Sequence, residues 1–101
     1  MIRVFVKPYL HIAQAMAQKG EFPVDLNEEA TIRDLVSILH QSYDLPEKIH
    51  VNKMTLELFD GDKIQFLNIF KNGINIKTLN GLETILEEGD IISIFPLVAG
   101  G

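Results

Sequence analysis

The stretch from Thr31 to Tyr43 constrains the fold more than any other. Ile32, Leu35, Val36, Leu39 and Tyr43 recur at helical spacing and make one apolar stripe along a helix. Thr31-Ile32-Arg33-Asp34 supplies an N-cap with an acid three residues on, a capping box with Asp in place of Glu. Leu45-Pro46 ends the helix, because proline disfavours helical backbone in the residue before it. One helix with one such stripe needs a sheet face to lie on.

Strands flank it on both sides. Ile2-Arg3-Val4-Phe5-Val6-Lys7 alternates and is rich in β-branched residues, which reads as a strand closed by Pro8. Ile2, Val4 and Val6 form its core face, leaving Arg3, Phe5 and Lys7 on the other. Tyr9 to Gln18 is alanine-rich, with Leu10, Ala13 and Ala17 at helical spacing before Gly20; this predicts a short helix. Phe22-Pro23-Val24-Asp25-Leu26 predicts a strand that Pro23 places at a sheet edge.

After the long helix, Thr55 to Phe59 and Lys63 to Lys71 flank the turn Asp60-Gly61. Asn72-Gly73 is a stronger hairpin signal, joining Leu67–Lys71 to Ile74–Lys77. Gly81 to Leu86 reads as a helical turn, and Glu88-Gly89-Asp90 leads into a last strand, Ile91 to Phe95. The order β-(short helix)-β-α-β-β-β predicts an α+β domain of the β-grasp, ubiquitin-like kind. Its mixed sheet of four to five strands packs on one main helix. The predicted organisation is a domain over 1–97 and a flexible diglycine tail over 98–101.

Composition narrows the function. With 101 residues, 47% hydrophobic and 23% charged, the chain has one ordinary globular core. No apolar run reaches membrane length, and the start MIRVFVKPYL lacks signal-peptide features; a cytoplasmic protein, monomeric when free, is expected. The formal charge is −5 and the 9 basic residues are scattered. That argues against nucleic acid or membrane as partner and favours a protein with a basic surface.

Intrinsic catalysis is not expected. The chain has no cysteine, so thiol catalysis and thiolate metal sites are excluded. His11, His40 and His50 lack metal-pair spacing and are expected to be solvent-facing or hydrogen-bonded; no metal is expected. Glu28-Glu29 and Glu87-Glu88 read as solvated caps. No glycine pattern builds a phosphate cradle, so the chain is expected to bind no cofactor, and any ATP must be used by a partner.

Two features remain. If Ile92 and Ile94 face the helix, then Ile91, Ser93 and Phe95 face away, and Phe5 and Phe70 join them. Three phenylalanines there make an exposed apolar partner surface, unless the segment from Asn52 to Asp62 folds over them; both readings stand.

The second feature is the sequence FPLVAGG from Phe95 to Gly101. Pro96 is expected to stiffen the exit and stop ladder pairing. The six residues from Pro96 to Gly101 reach roughly 20 Å. Gly100 and Gly101 lack Cβ atoms and fit a narrow slot. A terminal carboxylate, with a pKa of about 3.5, is ionised and a poor electrophile. A separate ATP-using enzyme must first make it an acyl-adenylate or a similar mixed anhydride. Sulfide or a persulfide could then give a thiocarboxylate, and a lysine amine an isopeptide.

These residues resemble the ubiquitin-like sulfur carriers of the MoaD/ThiS family. The likeness lies in MIRVFVK, the Thr31-Ile32-Arg33-Asp34-Leu35 helix start, Lys71-Asn72-Gly73-Ile74-Asn75-Ile76, and above all the block from Glu88 to Gly101. That block is similar to the small subunit of molybdopterin synthase. The resemblance implies that a ubiquitin-activating-type adenylyltransferase activates Gly101, which becomes a thiocarboxylate. The tail, threading through Val98, Ala99 and Gly100, would then enter the molybdopterin synthase large subunit or another sulfur-acceptor enzyme. Ile76 and Phe95 match partner-packing positions. Leu97 stands where that branch carries a second proline, Lys71 where valine is common, and the chain is longer around Leu45 to Lys63. Carriers for thiamine, tRNA thiolation and cysteine synthesis, and archaeal protein modifiers, share the diglycine and remain alternatives.

Overall fold

A computed structural model describes residues 1–60 and 63–97. In chain order the elements are β1 (Ile2–Pro8), α1 (Leu10–Ala15), β2 (Phe22–Leu26), α2 (Ile32–Ser42), β3 (Lys48–Val51) and β4 (Met54–Glu57). Then follow β5 (Phe59–Asp60), β6 (Lys63–Ile64), β7 (Leu67–Lys71), β8 (Ile74–Asn75) and β9 (Ile91–Pro96).

The capping box forms as the sequence predicts. Asp34 N–H donates to Thr31 Oγ1 at 3.3 Å, and Thr31 N–H donates to Asp34 Oδ2 at 2.9 Å. Each bond satisfies an amide that the first helical turn leaves without a partner. Ile32, Leu35, Val36 and Leu39 are buried along one side of α2, while Tyr43 stacks on Phe22 of β2 at 5.2 Å. The helix ends at Ser42, earlier than Leu45. The chain turns through Asp44 at φ 63°, and the Leu45 amide reaches back to the Leu39 carbonyl at 3.0 Å.

The sheet has five strands in the order β2-β1-β9-β7-β8. β1 is antiparallel to β2 and parallel to β9, and β9 is antiparallel to β7. The strand latest in sequence thus lies in the middle of the sheet. Val4, Val6, Val24, Leu26, Ile69, Ile92 and Ile94 are buried in one core with α2. Each such side chain contributes about 1.5–3 kcal/mol. One mixed sheet with one main helix across it is the β-grasp arrangement that the element order predicts.

Three details depart from the sequence reading. Ile12 in α1 and Met16 at its C-cap are buried, whereas Leu10 is 66% exposed. Leu10 adopts φ 53° and Ala17 φ 56°, so both ends of the run leave helical geometry. The i, i+4 pair Ile12 and Met16 then takes the inward side and buries more area than the alanines could. A left-handed leucine costs roughly 1–2 kcal/mol.

The segment after Leu45 makes two hairpins rather than one. β3 pairs with β4 and β5 with β6. The first hairpin turns at Asn52, φ 57°, which asparagine tolerates. The predicted turn at Asp60-Gly61 falls partly outside the described residues.

The last strand does not stop at Pro96. Pro96 lies opposite Leu67, and the Leu97 amide donates to the Phe66 carbonyl at 2.9 Å. Successive amides point to opposite neighbours. The missing N–H of Pro96 therefore falls on the β1 side, where pairing ends at Pro8 and Ile94, and no ladder bond is lost.

The predicted hairpin at Asn72-Gly73 forms, with φ 52° and 84°, as a type I′ turn requires. It is bolted to the start of β9. Asn72 Nδ2 donates to Asp90 Oδ1 at 2.9 Å, and Asn72 Oδ1 accepts from the Ile91 amide at 2.9 Å. Asp90 is buried and also accepts from the Glu87 amide at 2.7 Å. Among the described residues no helix is long and apolar enough to cross a membrane.

Candidate functional site

Because β9 is paired on both sides, its alternation fixes two faces. Ile92 and Ile94 point into the core, and Phe95 lies on the helix-free face. The Tyr9 ring lies flat on Phe95, with centroids 4.2 Å apart and planes 9° apart. Phe70 meets Phe95 edge-on at 5.5 Å and 84°. Such pairs contribute about 0.5–1.5 kcal/mol each beyond their buried area. Lys7 Nζ stands 5.7 Å from the centre of the Tyr9 ring. Phe5 shares the face, opposite Ile91 on one side and Pro23 on the other.

Phe5, Phe70 and Phe95 are half-buried, and none belongs to the main core. The segment that could have covered them packs elsewhere. Ile49, Val51, Leu56 and Leu58 join the helix-side core, and Phe59 packs edge-on against His40 of α2 at 5.1 Å. Among the described residues the apolar face stays open, with Tyr9 and Ile91 added to the three phenylalanines.

Sequence reasoning gave Tyr9 to the helix by closing β1 at Pro8. The signal was present, because Arg3, Phe5, Lys7 and Tyr9 continue one alternation. Tyr9 is extended, φ −128° and ψ 153°, and its amide donates to the Ile94 carbonyl at 2.9 Å.

Ile76 is the converse case and corrects its assignment to a partner face. It is only 5% exposed, because the chain leaves β8 there for a 3₁₀ turn over Ile76–Thr78. Asn75 Oδ1 caps that turn by accepting from the Lys77 amide at 2.9 Å. Ile74, 50% exposed, is the outward apolar residue of this hairpin.

Charges rim the face. Arg3 grips Asp25 across β1 and β2, with Nε–Oδ1 at 2.7 Å and Nη2–Oδ2 at 3.1 Å. This bidentate bond holds the Asp25 carboxyl below its ordinary range and the Arg3 guanidinium above its own. Glu87 and Glu88 do more than solvate an end: Glu88 Oε1 accepts from the Arg3 amide at 3.0 Å, and Glu87 pairs with Lys71 Nζ at 3.2 Å.

His40 Nδ1 donates to the Leu45 carbonyl at 2.7 Å, and His50 Nδ1 lies 3.0 Å from Thr55 Oγ1. His11 departs from the expectation, its Nδ1 being enclosed without a partner among the described residues. Among those residues, no three of His, Asp and Glu are grouped to hold a metal ion. The tail positions Val98, Ala99, Gly100 and Gly101 lie outside the described residues.

Residues 12–101 match the ThiS family. The chain is 38% identical over 89 residues to a proposed sulfur carrier protein of Archaeoglobus fulgidus, covering 86% of this chain and 91% of that protein. It is 34% identical over 77 residues to small archaeal modifier protein 3 of Haloferax volcanii, covering 75% of each. The solution structure of the Haloferax volcanii HVO 2177 protein superposes with a TM-score of 0.78 at 25% identity, covering 99% of this chain and 87% of that one.

Proposed function

We propose, on the premise that this chain belongs to the ThiS family, that it carries sulfur on the carboxyl carbon of Gly101. The observation that carries the reading is the reach of the family match, which runs through Ala99-Gly100-Gly101 to residue 101. A Gly101 carboxylate oxygen attacks the α-phosphorus of ATP held by an activating partner, and pyrophosphate leaves. Hydrosulfide then adds to the acyl-adenylate carbonyl and AMP leaves, so that the carbon ends as a thiocarboxylate. With no cysteine in the chain, that carbon is the one place for transferable sulfur.

The remainder of the molecule holds and presents this group. The hydrogen bond from the Leu97 amide to the Phe66 carbonyl holds the base of the tail, and the open face of Phe5, Tyr9, Phe70, Ile91 and Phe95 offers an apolar docking surface on the same domain. The acceptor we favour is the pterin precursor of the molybdenum or tungsten cofactor, bound by a molybdopterin synthase large subunit. The block from Glu88 to Gly101 resembles the small subunit of that enzyme. Intact-mass spectrometry of the protein from a sulfur-replete host with its activating enzyme tests the carrier role. Exchange of one oxygen for sulfur at Gly101 is expected, and its absence there would sink the reading.

A second reading follows from the likeness to small archaeal modifier protein 3, that Gly101 is joined to lysines of other proteins. It predicts higher-mass conjugates in cells that vanish when Gly101 is deleted.

A further inference from the structure

We propose that Leu10 and Leu97 form an apolar collar at the base of the tail, which seats against an apolar lip at the mouth of the activating enzyme's slot. This rests on the reading of Gly101 as the adenylated residue.

Leu10 is 66% exposed and held at φ 53°. Exposure means that its side chain gains little from folding, and a left-handed backbone strains any leucine. Asparagine or glycine would hold the same turn with less strain. Folding thus gives no reason for leucine here, and a strained, exposed residue points to function.

Its position supplies the function. Pro8 lies opposite Ile94 in the parallel pair, so Leu10 and Leu97 leave the sheet at the same end. Leu97 is 39% exposed, and its amide is held by Phe66. From Leu97 to Gly101 the chain spans at most about 13–14 Å. A protein that closes round this tail and reaches the Gly101 carbonyl must press the mouth of its slot against the residues around Leu97. Leu10 and Leu97 are the exposed leucines there, so the matching lip is apolar.

The test is ATP–pyrophosphate exchange by the cognate activating enzyme with the full-length protein as co-substrate, with KM and kcat determined separately. Leu10→Asn keeps the turn and removes the apolar contact. It is expected to melt at or above the wild-type temperature, to raise the KM for the protein about tenfold, and to leave kcat unchanged. Leu10→Met, which restores apolar bulk, is expected to return KM to near wild type. An unchanged KM in Leu10→Asn overturns the collar while leaving the carrier reading intact, and a lowered melting temperature overturns it by assigning Leu10 to folding. A wild-type protein that supports no exchange overturns the carrier reading and the collar with it.

Discussion

Tyr9 and Phe95 are stacked, ring on ring at 4.2 Å, and the contact ties the start of α1 to the strand that leads to the tail. Because β9 runs beside β1 in parallel, both residues reach the same face at the same end. The pair is expected to show a coupling of about 0.5–1.5 kcal/mol in a double-mutant cycle. Tyr9→Leu, Phe95→Leu and the double variant, unfolded in urea, measure it. Additive losses would mean that the rings merely lie side by side.

The capping box gives a second prediction. Thr31→Ala removes the oxygen that accepts from Asp34 N–H and is expected to cost about 1 kcal/mol. The urea midpoint should fall with the slope unchanged, since the surface exposed on unfolding is the same.

Asn72 serves both its own turn and β9. Asn72→Ala places alanine at φ 52° and leaves the buried Asp90 carboxylate one donor short. Together these are expected to cost about 2–4 kcal/mol. Asn72→Gly, which relieves the backbone but not Asp90, should recover part of that loss.

Acid stability depends on the Arg3–Asp25 grip. Asp25 has its folded pKa lowered, first by the hydrogen bond from Arg3. Its contribution is therefore complete above the ordinary carboxylate value of about 3.9 and is lost as pH falls through the lower folded value. Both side chains are exposed, so the effect is small and screened by salt. Asp25→Asn should flatten the acid limb of the stability curve and leave pH 7 to 9 parallel to wild type.

Gly101→Ala separates the tail from the fold. Thermal unfolding is expected to match wild type, while adenylation by the activating enzyme falls to background because a Cβ enters a slot shaped for glycine. Normal adenylation of this variant would remove glycine as a requirement.

The sequence made α2 and the two faces of the central strands legible, because period and capping chemistry act locally. Ile32, Leu35, Val36 and Leu39 announce their side of the helix, and Ile92 and Ile94 announce theirs. What stayed hidden was decided by neighbours. Tyr9 continues the alternation of β1 past a proline because the Ile94 carbonyl is there to receive its amide. Pro96 stays in its ladder because its missing N–H faces a strand that has already ended. Ile76 turns inward where β8 gives way to a 3₁₀ turn, a change that the run Ile74-Asn75-Ile76 does not signal. Lys48–Val51 is a strand only because Met54–Glu57 folds back on it.

The central place of β9 also bears on how the protein is made. Of the five strands in the sheet, it is the last to leave the ribosome, yet it holds β2-β1 to β7-β8. Until β9 arrives, those two pairs have no shared edge, and the aromatic face lacks Phe95. Contacts so distant along the chain form late and close slowly. A nascent or truncated chain therefore displays an incomplete docking face, and under the proposed carrier role an activating partner that docks there is expected to meet only molecules that have finished folding.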